Sequence, residues 1–255
     1  MTPRVALITG GLTGIGLASA KALASAGHSV AICSRRGDED ELAASALAAL
    51  NGACLIGAVD VASQTSINAF VTEVKQQFGP PQILVNAAGN YREAFLSDPD
   101  DAAWFDQIDI NLNGCYRTIR ATFAGMQALG WGRIVNIAST AGTKGAAGYS
   151  GYCAAKAGVI GLSKAVAVEG APYGINAISI SPTWVETPMM DNALLRHAAA
   201  TGGNISAAKA ALMRSNPQGR LVQPGEIGSV VGFFCSDQSQ GLTNVDIQIN
   251  AGADW

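Results

Sequence analysis

The stretch RVALITGGLTGIG, residues 4–16, determines the fold that the sequence predicts. Its first half is a short, β-branched apolar run, which is typical of a buried parallel strand. Gly10, Gly14 and Gly16 then allow a sharp turn. A helix that begins there presents free N–H groups and its positive dipole end to an anion such as a pyrophosphate. The spacing departs from the usual GxGxxG pattern, so a merely tight strand–helix turn stays open as an alternative.

Six further strand-like runs alternate with helical patterns along the chain. They are SVAICS (29–34), CLIGAV (54–59), QILVNA (82–87), RIVNIA (133–138), INAISI (175–180) and NVDIQI (244–249). One intervening helix is marked by apolar residues at helical spacing over 67–78 and is expected to end at Gly79-Pro80. This alternation predicts an α/β protein with a single doubly wound parallel sheet, the Rossmann fold, with helices on both faces.

The sequence predicts one domain over residues 1–255. One region within it departs from the alternation of strand-like and helical runs. Residues 189–220 are apolar, interrupted by glycines and placed after a strand end, where ligand crevices open in such sheets. We expect a substrate lid there. An arm that contacts another subunit is the alternative interpretation.

Composition narrows the possible functions. Charged residues make up only 14% of the chain and hydrophobic residues 49%. An ordinary soluble domain has about 25% charged residues, so the shortfall favours a homo-oligomer that hides surface. The net charge of −3 gives no electrostatic footprint for nucleic acid. The longest uncharged stretch, residues 42–59, is Ala-rich and indicates a helix, a turn and a strand rather than a membrane span.

The cysteines and histidines indicate a metal-free cytoplasmic protein. Five scattered cysteines without a CxxC pair are typical of reduced thiols, and no signal-peptide pattern opens the chain. The only two histidines, His28 and His197, lie far apart in the sequence, so no metal-ligand set is expected.

Seven short motifs follow one another along the chain in an order and spacing known from a protein family. They are TGGLTGIG (9–16), NAAG (86–89), INLNG (110–114), IVNIAST (134–140), YCAAK (152–156), SPTWVETPM (181–189) and INAGA (249–253). On these motifs the chain resembles the short-chain dehydrogenase/reductases over nearly its whole length. Within that family it is most similar to the ketoreductases of fatty-acid and polyketide synthesis.

The resemblance implies four catalytic positions: Asn111, Ser139, Tyr152 and Lys156. Tyr152 and Lys156 stand at i and i+4, so on a helix they share a face. The lysine cation is expected to lower the pKa of the phenol, which then exchanges a proton with the carbonyl or alcohol oxygen of the substrate. Ser139 is expected to hydrogen-bond the same oxygen.

The resemblance further implies that Lys156 holds the nicotinamide ribose and that Asn111 holds a water that relays protons. Taken alone, a Tyr–Lys pair at this spacing is more often structural. Tyr149 is expected to line the pocket or to pack near the start of the helix, and Cys153 to be a packing residue.

The segment after the second strand points to the choice of nicotinamide cofactor. NAD-preferring sites carry a carboxylate about 20 residues beyond the glycines, where this chain has Ser34 followed by Arg35 and Arg36. Arginine can pair with a 2′-phosphate, and the resemblance gives that role to Arg35, so NADP(H) is the expected cofactor. The alternative is a solvated loop in which both arginines pair with the acids at 38–41.

The expected cofactor contacts combine the glycine turn with positions that match the family. The set is Gly10, Leu12, Thr13, Gly14, Ile15, Gly16, Ser34, Arg35, Arg36, Asp60, Val61, Asn86, Ala87, Gly89, Pro182, Thr183, Val185 and Thr187. Thr183 departs from the family, which has Gly after this Pro, and its side chain is expected to crowd or reshape the pocket floor.

The function expected from the sequence is an NADPH-dependent carbonyl reductase that acts as a homotetramer on a small-molecule ketone, most simply a 3-oxoacyl or related β-keto compound. An NAD(P)-dependent alcohol or diol dehydrogenase and a non-catalytic NADP-binding redox sensor are the alternatives. A carrier-bound substrate is disfavoured, because residues 165–174 hold no Arg or Lys and Arg133 alone would make a weak basic patch.

Overall fold

Seven parallel strands form one sheet in the order β3-β2-β1-β4-β5-β6-β7. The computed structural model describes residues 2–50, 54–201 and 203–253. The strands are β1 Val5–Thr9, β2 Ser29–Ser34, β3 Cys54–Ala58, β4 Ile83–Asn86, β5 Gly132–Ile137, β6 Ile175–Pro182 and β7 Asp246–Ile249. Each coincides with one of the seven predicted runs, so the predicted doubly wound fold is confirmed.

Helices connect successive strands on both faces of this sheet. They are α1 Gly14–Ser25, α2 Asp40–Ala48, α3 Gln64–Phe78, α4 Ala102–Ile108, α5 Gly114–Leu129, α6 Ser150–Gly170, α7 Pro188–Thr201, α8 Ile205–Ser215 and α9 Pro224–Phe234. Helix α3 ends at Gly79, whose φ of 95° is one that glycine adopts without strain, so the predicted stop is confirmed. None of the helices within the described ranges is long and apolar enough to cross a bilayer.

The hydrophobic core lies on both sides of the sheet because neighbouring strand residues point to opposite faces. Ile8 packs with α1 and α9 on one face, where Leu23 and Phe234 are fully buried. Leu7 packs on the other face with Phe70 and Met126 from α3 and α5. A parallel sheet needs both faces covered, and this arrangement leaves its carboxyl edge as the place where side chains meet a ligand.

A five-residue π-helical segment, Asp109–Asn113, joins α4 to α5 without a break in the helix. Such a wide turn is rare and is frequently found at functional sites. It places Asn111, which is 1% exposed, at the carboxyl edge of the sheet.

The region predicted as a lid, residues 189–220, consists mainly of helices α7 and α8 beside this edge; Gly202 within it lies outside the described residues. Met190 and Leu194 of α7 are buried against Leu221, with Trp184 and Leu212 packed around them. The region therefore has its own small apolar core, and its role as a lid remains a prediction.

Candidate active site

The glycine turn at the start of α1 brings Gly16 into close contact with the backbone of Gly10. Gly10 and Gly14 have φ values of 66° and 53°, which glycine adopts without the strain that other residues would carry. A Cβ on Gly16 would lie 2.2 Å from the Gly10 carbonyl oxygen. Thr13 precedes α1 without a side-chain capping bond, so the first-turn N–H groups stay open to an anion.

A cavity of about 660 Å³ runs along the carboxyl edge from this turn, and we call it the outer cleft. It contains most of the predicted cofactor positions: Gly10, Thr13, Gly14, Ile15, Gly16, Ser34, Arg35, Arg36, Asp60, Val61, Ala87, Gly89 and Thr187. The cleft therefore reaches from the glycine turn to the ends of β2 and β3.

Two predicted cofactor positions have side chains in the protein interior. Leu12, only 3% exposed, packs in the hydrophobic core, because the turn directs its side chain inward. Asn86 is buried. Its Nδ2 donates to Asn136 Oδ1 at 2.8 Å, and its Oδ1 accepts from Thr118 Oγ1 at 2.7 Å. Asn86 thus ties β4 to β5 and α5, and its side chain is committed to the scaffold.

The two arginines after β2 differ in their surroundings. Arg36 lies 4.0 Å from Glu39 in an exposed ion pair, so the solvated-loop alternative holds for this residue. Within the described ranges Arg35 has no ion-pair partner, and it lines the outer cleft. Ser34 offers no carboxylate at the end of β2; its hydroxyl accepts from the Arg36 N–H at 3.3 Å.

A second cavity, of about 140 Å³, opens beside the outer cleft, and we call it the inner cleft. It is lined by the four predicted catalytic residues and by the remaining cofactor positions: Asn111, Ser139, Tyr152, Lys156, Pro182, Thr183 and Val185. The two clefts share Ile15, Gly89, Tyr91 and Thr187 among other residues, so they form one continuous groove.

Tyr152 and Ser139 meet at the inner cleft. Ser139 precedes the short helix Thr140–Gly142 and accepts from the Ala141 N–H at 3.2 Å. Burial raises the pKa of Tyr152 to about 12, against a smaller opposite effect of its hydrogen bond with Ser139. The sequence predicted a lowered pKa, and that prediction is wrong for the ligand-free protein.

The position of Lys156 explains this difference. Its ammonium group donates to the Ile137 carbonyl at 2.8 Å and lies 5.5 Å from the centre of the Tyr152 ring, over the ring face. Lys156 is itself 5% exposed, and burial lowers its pKa. The cation is therefore held by the sheet, and it does not offset the desolvation of the phenol.

Asn111 binds the loop that follows β4. Its amide nitrogen donates to the Asn90 carbonyl at 3.0 Å, to Asn90 Oδ1 at 2.8 Å and to the Gln107 carbonyl at 2.9 Å. Its Oδ1 accepts from the Asn90 N–H at 3.2 Å. The side chain is thus fully engaged with protein groups, which leaves its expected role as the holder of a relay water as a prediction.

Tyr149 immediately precedes α6, near the start of the helix as expected, and lines the inner cleft. Its ring stacks on Tyr91, with centroids 4.6 Å apart and planes at 26°. Tyr91 also meets Tyr152 edge-on at 5.5 Å. Three phenol rings therefore pack against one another at the mouth of the inner cleft.

Thr183 lies at the floor of the inner cleft in the position where the family resemblance implies Gly. Its backbone N–H donates to the Ile249 carbonyl at 3.3 Å, which fixes the segment after β6 to β7. Its Oγ1 is buried and has no hydrogen-bond partner within the described residues. Thr187 Oγ1, in contrast, caps the start of α7 through the Met190 N–H at 3.4 Å.

Comparison with known proteins identifies the family. The family model described as short chain dehydrogenase matches residues 4–197. The chain belongs to the short-chain dehydrogenases. It is an oxidoreductase that acts on CH–OH and C=O groups, and its family supports a nicotinamide cofactor.

This short-chain dehydrogenase has relatives with several assigned activities. It is 37% identical to the 3-oxoacyl-acyl-carrier-protein reductase FabG of Pseudomonas aeruginosa, over 98% of this chain and 96% of the relative. It is 35% identical to the D-beta-hydroxybutyrate dehydrogenase of Cupriavidus necator, over 98% and 97%. A solved structure of an actinorhodin polyketide ketoreductase variant with NADPH has a TM-score of 0.91 at 32% identity, over 98% and 97%.

Sequence reasoning missed several residues of the dehydrogenase's clefts. Tyr91 and Asn90 follow the NAAG motif directly, so their place beside β4 was a signal that could have found them. Asn192 and Arg196 of α7 line the outer cleft, and Arg196 donates to the Tyr91 carbonyl at 3.4 Å. Those two positions depend on how α7 packs, which no local pattern specifies.

The possible metal ligands and Arg133 are the remaining polar groups considered in the sequence. Within the described residues no group of three or more His, Cys, Asp or Glu is placed to hold a metal ion. Arg133, considered as a weak surface patch, is in fact 2% exposed. Its guanidinium stacks on Trp131 at 4.4 Å, and Arg4 covers the same ring at 3.6 Å. Arg133 lies on the buried strand β5, so it does not form a basic patch on the surface.

Proposed function

We propose that this protein is an NADPH-dependent carbonyl reductase that converts a ketone into a secondary alcohol, with Tyr152 as the general acid. The observation that carries the proposal is the meeting of Ser139, Tyr152 and Lys156 in one partly apolar cleft, which continues into the outer cleft lined by Arg35. A non-catalytic redox sensor would have no need for this convergence.

The outer cleft fits a dinucleotide with a 2′-phosphate. The cradle at Gly10 and Gly16 leaves no room for a Cβ, and the open first turn of α1 suits a pyrophosphate. Arg35, without an ion-pair partner within the described ranges, suits the 2′-phosphate, and no carboxylate stands at Ser34 to repel it. When bound there, NADPH would supply the hydride.

The inner cleft supports proton delivery by Tyr152. Because burial raises the pKa of its phenol to about 12, Tyr152 is protonated at neutral pH, which is the form that can donate to a developing alkoxide. Ser139 can hydrogen-bond the same oxygen and stabilise the charge that develops on it. Lys156, whose ammonium group is held by the Ile137 carbonyl over the face of the Tyr152 ring, would bind the nicotinamide ribose.

The raised pKa of Tyr152 favours its protonated form, which is the form that ketone reduction uses. An alcohol dehydrogenase working in the oxidative direction needs the phenolate as a base, and burial makes that form scarce at neutral pH. The relationship to the D-beta-hydroxybutyrate dehydrogenase of Cupriavidus necator keeps the oxidative direction as the second candidate. A β-keto substrate is supported by the names of both this relative and the 3-oxoacyl reductase.

We further propose that the protein forms a homotetramer in the cytoplasm. Large apolar side chains are exposed on α4, α5 and α6, among them Phe105 at 59%, Leu129 at 49% and Val168 at 65%. Patches of this kind mark interfaces when they are contiguous, and the low charged fraction agrees with buried surface. All five cysteines are free thiols, which suits a reducing compartment. Light scattering on the purified protein tests the tetramer.

Initial rates test the activity. With acetoacetyl-CoA as substrate, oxidation of NADPH is expected to be at least tenfold faster than oxidation of NADH at equal, subsaturating cofactor concentrations. A preference for NADH would overturn the role of Arg35. Absence of ketone reduction with either cofactor, together with oxidation of 3-hydroxybutyrate, would replace the proposal by the oxidative alternative.

A further inference from the structure

Arg117, near the start of α5, joins two segments that border the clefts. Its Nη1 donates to the Val61 carbonyl and to the Asp109 carbonyl, both at 3.3 Å, and its Nη2 donates to Asp109 Oδ1 at 2.6 Å. Val61 lines the outer cleft, and Asp109 begins the π-helical segment that carries Asn111 into the inner cleft. One side chain, 22% exposed, therefore connects the borders of both clefts.

The Asp109 end of this connection fixes the wide turn of the π-helical segment. The Asp109 carbonyl accepts from the Gly114 N–H, five residues on, which is the hydrogen bond of a π turn, and Arg117 donates to the same oxygen. The Asp109 carboxylate accepts from Arg117 and also from Asn113 Nδ2 at 3.0 Å. The hydrogen bond from Arg117 holds the pKa of Asp109 below its ordinary value, so the carboxylate is charged at neutral pH. Arg117 therefore stabilises the π turn itself.

The π turn determines where the side chain of Asn111 points. Asn111 Nδ2 donates to the Gln107 carbonyl of α4 at 2.9 Å. A Cβ on Gly89 would lie 2.7 Å from Asn111 Oδ1 and 3.8 Å from Lys156 Nζ, so the amide and the ammonium group border the same small space. A shift of the π turn would thus move Asn111 relative to Lys156.

The Val61 end of the connection lies just beyond β3, in the wall of the outer cleft. The side chain of Val61 also packs against the start of α5, since a Cβ on Gly114 would lie 3.0 Å from Val61 Cγ2. The proposed dinucleotide would place its adenosine end here, because Arg35 on the neighbouring strand is assigned to its 2′-phosphate. A ligand that contacts Val61 therefore acts on α5 by packing and through the hydrogen bond from Arg117.

We propose that Arg117 couples occupation of the β3 end of the outer cleft to the position of Asn111, and so acts as a positioning residue for ketone reduction. This inference rests on the proposed function and describes how the same site is regulated. Arg117 is not among the described residues that line either cleft, so it acts through the two segments that it joins. Its 3.3 Å bond to the Val61 carbonyl is long enough to shorten when a ligand is bound, and two sites are coupled only through contacts that differ between the free and bound states.

Hydrogen–deuterium exchange measures this coupling without turnover. The probe is adenosine 2′,5′-bisphosphate, which carries the adenosine end and the 2′-phosphate of NADPH but no nicotinamide. In the wild type the probe is expected to slow amide exchange about fivefold or more, both around Val61 and over residues 109–114. In Arg117→Met the protection around Val61 should remain, while exchange over residues 109–114 should change less than about twofold.

Two further variants control this experiment. Asp109→Asn keeps the shape of the side chain and weakens its bond to Arg117, so part of the protection over residues 109–114 should be lost even where Arg117→Met folds poorly. Arg120→Met is the matched control on α5, because its guanidinium donates to the Tyr116 hydroxyl at 3.4 Å and should not affect the response to the probe. Equal protection of residues 109–114 in the wild type and Arg117→Met would overturn the inference.

Kinetics separate the coupling from a merely structural role. With acetoacetyl-CoA and NADPH, Arg117→Met is expected to lower kcat about tenfold and to change KM for the ketone less than about threefold, and Arg117→Lys should recover part of the loss. In the Asn111→Ala background the same Arg117→Met substitution should lower kcat less than about twofold, since Arg117 acts through Asn111. Losses in kcat that multiply in the double variant would contradict a role through Asn111.

The exchange experiment also distinguishes this inference from the proposed function. Absence of ketone reduction by the wild type would count against the proposed function, and the exchange over residues 109–114 would still decide on the coupling. Protection around Val61 without any over residues 109–114 in the wild type would overturn the coupling alone. No protection around Val61 would show that no adenosine end binds there, and would overturn both the cofactor assignment and the coupling.

Discussion

The outer and inner clefts lie side by side on the same edge of the sheet, yet the groups that line them differ in polarity and in exposure to solvent. The outer cleft presents backbone N–H groups, a tight glycine turn and exposed side chains such as Arg35 and Asp60. The inner cleft presents phenols and an ammonium group among apolar residues, and burial shifts the pKa of Tyr152 and Lys156. Recognition of a charged cofactor needs accessible partners, whereas proton transfer needs shielded ones.

The difference predicts how each cleft responds to substitution. In the outer cleft a changed residue alters which cofactor binds and how tightly. In the inner cleft a changed residue alters turnover or substrate preference while the cofactor still binds. Substitutions in each cleft test this division.

Removal of the Tyr152 hydroxyl is expected to have the largest effect. Tyr152→Phe loses the general acid, so kcat for ketone reduction is expected to fall by about 10²- to 10⁴-fold. The affinity for NADPH, measured by fluorescence titration, should change less than about threefold. Loss of NADPH affinity to the same extent as kcat would break the division between the clefts.

Gly16→Ala is expected to weaken cofactor binding in the outer cleft. Its Cβ would stand 2.2 Å from the Gly10 carbonyl oxygen, so the turn has to open and the pyrophosphate cradle is lost. We expect NADPH affinity to fall by roughly a hundredfold. Gly225→Ala is the matched control, because nothing lies within 4 Å of the added methyl group in helix α9. Comparable losses in both variants would contradict the steric argument.

Arg35→Gln is expected to change cofactor choice rather than catalysis. Loss of a charge-assisted bond to the 2′-phosphate lowers the preference for NADPH over NADH by about 10- to 100-fold, with kcat at saturating cofactor nearly constant. Arg36→Gln serves as the comparison, since Arg36 is paired with Glu39, and it should have a much smaller effect. The reverse order of the two variants would move the phosphate site to Arg36.

Thr183→Val tests the floor of the inner cleft. The two side chains have the same shape, and the substitution removes a buried hydroxyl that has no partner within the described residues. The ligand-free protein should be stabilised by about 1 kcal/mol, which corresponds to a rise in Tm of about 2–4 °C. A fall in Tm measured by calorimetry would mean that the hydroxyl is satisfied in solution.

The pH profile should show the smallest change. Tyr152 must be protonated to donate, and its acid form is lost only as the pH rises through about 12 in the free enzyme. The kcat/KM for reduction should therefore vary less than about twofold between pH 6 and 8.5. A fall with a midpoint near pH 7 would show that the cofactor or substrate lowers the pKa of Tyr152 by several units.

The fold could be predicted from the sequence because the strands of a fully covered parallel sheet are continuous apolar runs, and all seven were found. The convergence of Asn111, Ser139, Tyr152 and Lys156 could be expected only through the family resemblance, because these four residues lie on three separate segments of the chain. Side-chain directions were harder to predict. Leu12 and Asn86 belong to matching motifs, yet the turn and the sheet direct both side chains into the interior.

The pKa of Tyr152 could not be predicted from the i, i+4 spacing alone. That spacing places Lys156 on the same helix face, but the Ile137 carbonyl determines where the ammonium group points. Arg133 illustrates the same limit, since its burial depends on Trp131 and on Arg4, which is far away in the chain. In both cases a contact between distant segments decides the electrostatics.

The π-helical segment at Asp109–Asn113 has a consequence for how the chain tolerates insertions and deletions. Each residue of an α-helix advances the direction of its side chain by about 100°. Loss of one residue from this segment would restore a regular helix but rotate either α4 or α5 by that angle about its axis. Asn111 or the buried face of α5 would then point the wrong way. We therefore expect this segment to accept substitutions far more readily than any change in its length.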